Sequence, residues 1–269
     1  FQIDLNTSFT GEDSLDISLD AGNTPSTTSA VEELDGNVTG DALKVDGVSY
    51  TFPVAGATVF VADNGDASAL FTTACTYGGP TNTLDDCGNV NAGPTGGGVA
   101  FGTSYDFGNG FSTAFGYQSN SAETAGIMTE ESKDTYALNG AYTGSNYGVS
   151  VTYASAEDGV LSTSKEDTYT AFNAYYTPDS ENLPSVSVGY EMGDDASKST
   201  LDEITSFFVG LQWDEVGPGS LGVAAGHSST VEGTEEAYMY EAYYSYAVND
   251  GMTITPVIYT KENLSLIHI

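Results

Sequence analysis

The chain offers few residues for bond-making chemistry. Its histidines are His227 and His268, and no constellation of nucleophile, histidine and acid can be assembled around either. Cys75 and Cys87 are the only cysteines, and two thiols with no histidine beside them are too few for a structural zinc site. Asp63, Asn64 and Asp66 offer oxygen ligands of the kind calcium takes, but their spacing is not that of an EF-hand, and short acidic turns are common. Asp194-Asp195 and Glu235-Glu236 fall in polar connections, where paired carboxylates serve solubility. Asn6-Thr7-Ser8 and Asn37-Val38-Thr39 match the glycosylation sequon, a weak pattern. No catalytic residue, metal site or cofactor is expected.

Acidity is the dominant chemical feature: 38 Asp and Glu stand against 5 bases, for a net charge of -33. All five bases are lysines, so no basic patch can neutralise a phosphate backbone, and nucleic acid is excluded as a partner. Only 16 % of residues are charged while 12 % are aromatic, which is too apolar for a disordered acidic tail. With 32 glycines and abundant Ser, Thr and Asn, the composition favours strands and turns over helices. It does not shift along the chain in a way that would divide it into domains.

The elements that must position these acids follow a period of two. Phe1, Ile3, Leu5, Thr7 and Phe9 share one face of the first segment, with Gln2, Asp4, Asn6 and Ser8 on the other. Val99, Phe101, Thr103, Tyr105 and Phe107 oppose Ala100, Gly102, Ser104 and Asp106, and after Gly108-Asn109-Gly110 the split resumes as a hairpin. Leu15, Ile17 and Leu19 oppose Asp16, Ser18 and Asp20 in a second strand, and further strands are expected near 134–143, 147–155, 167–176, 185–192, 204–213, 220–228, 237–247 and 251–259, with weaker ones near 47–53 and 57–63, making fourteen in all. Short connections alternate with long ones at 22–46, 64–97, 119–133, 157–166, 193–203 and 229–236. Short turns on one rim and long loops on the other are the pattern of an antiparallel up-and-down transmembrane β-barrel.

Each strand has a large apolar face, such as Val186, Val188, Tyr190 and Met192, and a small polar one, such as Ser185, Ser187, Gly189 and Glu191. In a soluble sandwich the apolar face would fill a core; in a membrane barrel it would face lipid, and periodicity alone leaves both architectures open. No apolar run reaches the ~18 residues of a membrane helix, which does not bear on a barrel. Tyr105, Phe107, Phe111, Tyr142, Tyr147, Tyr175, Tyr176, Trp213, Tyr244 and Tyr246 bunch beside short turns, as a girdle at the headgroup level would. Lys44, Lys133, Lys165, Lys198 and Lys261 fall in loops or at a strand end, leaving the polar face without a base. Asp4, Asp16, Asp20, Asp106, Glu191 and Glu241 are expected on that face, lining a water-filled pore whose sign suits cations.

Several segments resemble the barrel of cyanobacterial outer-membrane porins, in the carbohydrate-porin-like group also labelled iron-uptake porins. They are Leu5-Asn6-Thr7-Ser8-Phe9-Thr10-Gly11, the stretch Thr168-Tyr169-Thr170-Ala171-Phe172-Asn173-Ala174-Tyr175-Tyr176-Thr177-Pro178, and Tyr243-Tyr244-Ser245-Tyr246 followed by Asn249-Asp250-Gly251-Met252-Thr253-Ile254-Thr255-Pro256. The resemblance covers almost the whole chain. It implies a bacterial outer-membrane location, lipid around the barrel, and passive diffusion of ions and small hydrophilic solutes, with carbohydrates or inorganic iron among the candidates. It also implies a homotrimer as an option for assembly. Such porins join a sixteen-stranded barrel to an N-terminal anchor that grips peptidoglycan. This chain lacks the anchor, so residues 1–263 are expected to be a barrel truncated at both ends, and 264–269 a non-native tail.

In the oxidising compartment so implied, Cys75 and Cys87 are expected to form a disulfide within the longest loop, stabilising it by about 3 kcal/mol. By resemblance to general porins that loop folds inward and narrows the channel, which would place Asp85 and Asp86 at the constriction, although a pair of acids in a loop is more often simply solvated. The alternative to the whole reading is an acidic, soluble or surface-attached β-sandwich, an adhesin or carbohydrate-binding module.

Overall fold

The computed structural model describes residues 1–24, 36–82, 84–95, 97–157, 166–180, 182–195 and 202–262. The proposed tail at 264–269, His268, Lys165 and Lys198 lie outside the described residues. The alternating segments form β1 (Gln2–Thr7), β2 (Ser14–Asp20), β3 (Lys44–Val54), β4 (Ala57–Gly65), β5 (Gly98–Asp106), β6 (Phe111–Ser119) and β7 (Asp134–Thr143). They continue as β8 (Tyr147–Glu157), β9 (Glu166–Tyr176), β10 (Ser185–Asp195), β11 (Asp202–Val216), β12 (Gly219–Val231), β13 (Met239–Asn249), β14 (Met252–Ile254) and β15 (Val257–Lys261). A single-turn helix, α1 (Ala122–Ala125), sits between β6 and β7.

From β1 to β14 every strand pairs with its sequence neighbour in one antiparallel meander. β14 and β15 are two pieces of one strand. Both pair with β13, and the register runs on unbroken from Tyr246↔Ile254 to Tyr243↔Val257 across Thr255 and Pro256. The fourteenth expected strand is thus present, interrupted where proline withholds a ladder donor. Among the described residues β1 and the β14–β15 strand are not hydrogen-bonded to each other, so the described sheet is not closed.

Register keeps like faces together. Leu138 lies across from Tyr153, Phe172 from Val151 and Tyr190, and Tyr190 from Phe207. This apolar face is exposed: Leu138 by 55 %, Tyr153 by 44 %, Phe172 by 49 % and Tyr190 by 43 %. On the other face Asn139, Ser150, Thr152, Asn173, Ser187 and Ser206 are buried. The packing is therefore inverted relative to a sandwich in water, where burying large apolar side chains is the main source of stability.

Short turns mark one rim. Between β1 and β2, Asp13 accepts hydrogen bonds from Ser8 Oγ at 2.6 Å, from Tyr50 Oη and from the Thr10 N–H at 2.8 Å, and these donors hold its carboxyl well below the usual range. Aromatic pairs follow along the same rim, with ring centroids 5.0 Å apart for Tyr105 and Phe107, 4.7 Å for Phe111 and Tyr142, and 5.6 Å for Tyr142 and Tyr147. Tyr175 departs from the expected girdle: it lies across from Gly148 and Ser187, on the polar face.

Candidate functional site: the polar face and its loop

The 66–97 connection crosses the polar face, and its route can be followed bond by bond. Ala67 N–H donates to Gln118 Oε1 on β6 at 3.0 Å. Thr72, Ala74, Thr76 and Gly78 then donate backbone N–H groups to Asn139 on β7 (3.0 Å), Ser150 on β8 (2.9 Å), Ser187 on β10 (2.9 Å) and Gln212 on β11 (3.0 Å). Taking every second residue is what an extended limb does, because successive N–H groups point to opposite sides. At the far end Tyr77 Oη donates to Glu241 on β13 at 2.7 Å, and Thr81 Oγ1 donates to the same carboxylate.

The chain then returns. Asn173 Nδ2 donates to Cys87 O at 2.8 Å, while the N–H groups of Asn91 and Ala92 donate to Glu191 Oε2 at 2.8 and 2.7 Å. Asn91 Nδ2 reaches Glu191 Oε1 at 2.7 Å, and Gln118 Nε2 closes the excursion on Thr95 O at 3.1 Å. A Cys75–Cys87 disulfide joins the outgoing limb to the returning one. Between loop and sheet Tyr77, Leu84, Cys87, Phe208, Met239 and Tyr243 form a small apolar cluster.

Glycines on the sheet make this seating possible. A Cβ on Gly116 would lie 1.9 Å from Ala67 O, and one on Gly189 would lie 1.8 Å from Cys87 O. The polar face is small where the loop rests, not only where water would pass. That contact pattern is the functional feature the sequence concealed: Asn139, Ser150, Ser187 and Gln212 read as ordinary polar alternation until the loop's N–H groups are placed on them.

The acids divide into two groups. Asp4 and Asp16 are carried by β1 and β2, where Asp4 accepts from Ser18 Oγ at 2.7 Å and Asp16 from Ser14 Oγ at 2.7 Å. They line one cavity with Asp46, Ser49 and Asp66. Asp20, at the end of β2, lies across from Lys44 at the start of β3. Asp106 sits at the short-turn end of β5 and caps the Gly108 N–H at 2.7 Å. Where an open acidic surface was expected, Glu191 and Glu241 are covered by the loop and only 1 % and 3 % exposed, because their oxygens take up loop donors.

The expectation of a base-free polar face is corrected. Lys261 ends β15 across from Met239, two pairs beyond Glu241↔Tyr259 and so on the same face, and lines a cavity with Asn82 and Asp86. The strand runs further than the alternation suggested, which brings its final residue onto this face. Asp85 and Asp86 directly precede Cys87, and both reach solvent. Surrounding protein, and next the charges of Asp85 and Glu191, push the Asp86 carboxyl up to about 7. His227 packs its ring against Phe207 and Tyr238, with Nδ1 2.9 Å from Thr230 Oγ1. Among the described residues no group of three or more His, Cys, Asp or Glu side chains is arranged to hold a metal ion.

A porin refined at 1.8 Å resolution superposes with a TM-score of 0.65 at 14 % identity, over 98 % of this chain and 87 % of its own. The chain has the porin fold. An anion-selective porin from Comamonas acidovorans gives 0.64 at 11 % identity over 97 % and 78 % of the two chains. OmpF from Salmonella typhi, in complex with daunomycin, gives 0.62 at 11 % identity over 98 % and 82 %. No protein-family model and no curated protein sequence matches the chain. At these identities the likeness to porins is one of fold.

Proposed function

We propose that the protein is a porin of the bacterial outer membrane, a water-filled channel through which ions and small hydrophilic solutes diffuse without turnover chemistry. The observation that carries this reading is the inversion of the sheet. Its exposed apolar face suits lipid, while its polar face is small, acidic and crossed by an ordered loop. A sandwich in water would leave that apolar face as a cost with no compensation, which disfavours the adhesin or carbohydrate-binding alternative.

The finer assignments rest on the resemblance and on charge. Cyanobacterial carbohydrate-porin-like proteins are the family the sequence resembles, with carbohydrates or inorganic iron as solutes. Outer-membrane lipid surrounds the barrel, and a homotrimer is an option for its assembly. Asp4, Asp16, Asp20, Asp106 and the loop pair Asp85 and Asp86 outnumber Lys44 and Lys261 on the polar side, supporting a preference for cations. In planar bilayers the protein is expected to give steady ohmic conductance and, in a salt gradient, a reversal potential favouring the cation. Recovery in the aqueous fraction without detergent, with no conductance, would reject the channel; a reversal potential favouring chloride would reject only the charge assignment.

A further inference from the structure

We infer that Ser150 and Ser187 are positioning residues that fix the width of the channel without setting its charge preference, which belongs to carboxylates that the limb from Thr72 to Gly78 does not carry. The inference deepens the channel reading and rests on it. It starts from the lengths of the four side chains that hold the limb from Thr72 to Gly78. Asn139 and Gln212, at its ends, are long amides; Ser150 and Ser187, in its middle, reach only one atom beyond Cβ.

A straight strut across a concave surface stands furthest from it at mid-span and would need its longest supports there. The reverse order means that the limb follows the curve of the sheet and leaves the space on its other side open. Spacing supports the same geometry. Ala74 and Thr76 are separated by about 7 Å of extended chain, whereas Ser150 and Ser187 stand on strands about 9.6 Å apart and two residues out of level, a wider gap still, since Ser150 and Gly189 both pair with Asn173. Hydroxyls that converge on the inner side of a curved sheet reconcile the two lengths. Beside Ser187 in sequence the surface is reduced to bare backbone at Gly189, where a Cβ would lie 1.8 Å from Cys87 O. Serine and glycine together draw the loop as close to the sheet as backbone allows.

Asn139 shows what a longer support does. It accepts from Thr72 N–H at 3.0 Å and donates to Thr72 O at 3.2 Å, so an asparagine holds the limb by both backbone groups while standing one bond further out. Asparagine at 150 and 187 would preserve the docking and move mid-limb about 1 Å into the channel. The carboxylates of β1–β3 would stay where they are.

The test compares the full-length chain with S150N/S187N and S150A/S187A in planar bilayers, after each variant shows the wild-type heat-dependent gel shift. The asparagine pair is expected to lower single-channel conductance by roughly twofold, and to exclude smaller sugars in liposome swelling, with an unchanged reversal potential. The alanine pair, which removes the acceptors without adding length, is expected to raise current noise without that narrowing. Wild-type conductance and sugar cut-off in the asparagine pair would overturn the inference, as would equal narrowing in the alanine pair. Absence of conductance in the wild type would instead reject the channel reading. A crystal structure of S150N/S187N decides the positioning role independently of conduction: a mid-limb shift towards β1–β3 supports it, and an unmoved limb refutes it.

Discussion

Strands β1–β3 and strands β6–β13 are built from the same alternation and the same small polar residues, yet their carboxylates do different work. Asp4 and Asp16 stand on a bare surface and bond to serines of their own hairpin. Glu191 and Glu241 face the same side of the sheet but are consumed by the loop, whose N–H and hydroxyl groups occupy their oxygens. In the proposed channel the first pair would act on an ion through its field; the second acts on the loop as an anchor. The comparison teaches that residue type and face do not fix a role until the covering element is known.

The largest effect expected from breaking this difference comes from removing the cover. Replacing residues 68–95 by a short Gly-Ser linker would expose the polar residues of β6–β13, and single-channel conductance is expected to rise severalfold while cation preference persists. Next comes loss of an anchor. Glu191→Leu would strand the Asn91 and Ala92 N–H groups in a buried place, at about 1–3 kcal/mol each, so the temperature of the heat-dependent gel shift should fall clearly. The matching substitution Asp4→Leu on the bare surface should leave that temperature nearly unchanged.

A smaller effect is expected from Asp4→Asn with Asp16→Asn, which should move the reversal potential towards neutrality with conductance largely retained. The smallest concerns pH. The Asp86 carboxyl is raised in the folded loop to about 7, so the seated loop favours its protonated form. That stabilisation is complete below about pH 4, and it is lost as pH rises through about 7. Amide exchange around Cys87 should quicken over this interval, and cation preference should grow as the charge appears; Asp86→Asn should remove both trends.

Most of the fold was legible because period two is written into nearly every segment. The hairpin at 98–118, the paired faces of 185–192 and 204–213, and the alternation of short and long connections all recur in the meander. Face assignment also held where side chains differ sharply in size, as for Tyr190 against Glu191. What stayed hidden depends on contacts made far along the chain. Ala74 meets Ser150 and Thr76 meets Ser187 across 76 and 111 residues, and nothing local to either serine marks it as a support. The face of Lys261 was missed for a different reason: the expected strand stopped at 259, two residues short of the pairing with β13 that carries Lys261 onto the polar side.

Proline usually spends its missing donor on the outside of a sheet, where the gap discourages further pairing. Pro256 does the opposite. Its carbonyl accepts the Tyr244 N–H at 3.1 Å, so its ring nitrogen also faces β13, and the lost bond belongs to the inner ladder. The outward edge of this strand therefore keeps its regular template of donors and acceptors, and β1 at the opposite margin carries neither proline nor lysine to blunt it. Wherever such a margin stays unpaired in water, it is a template on which another chain can add a strand.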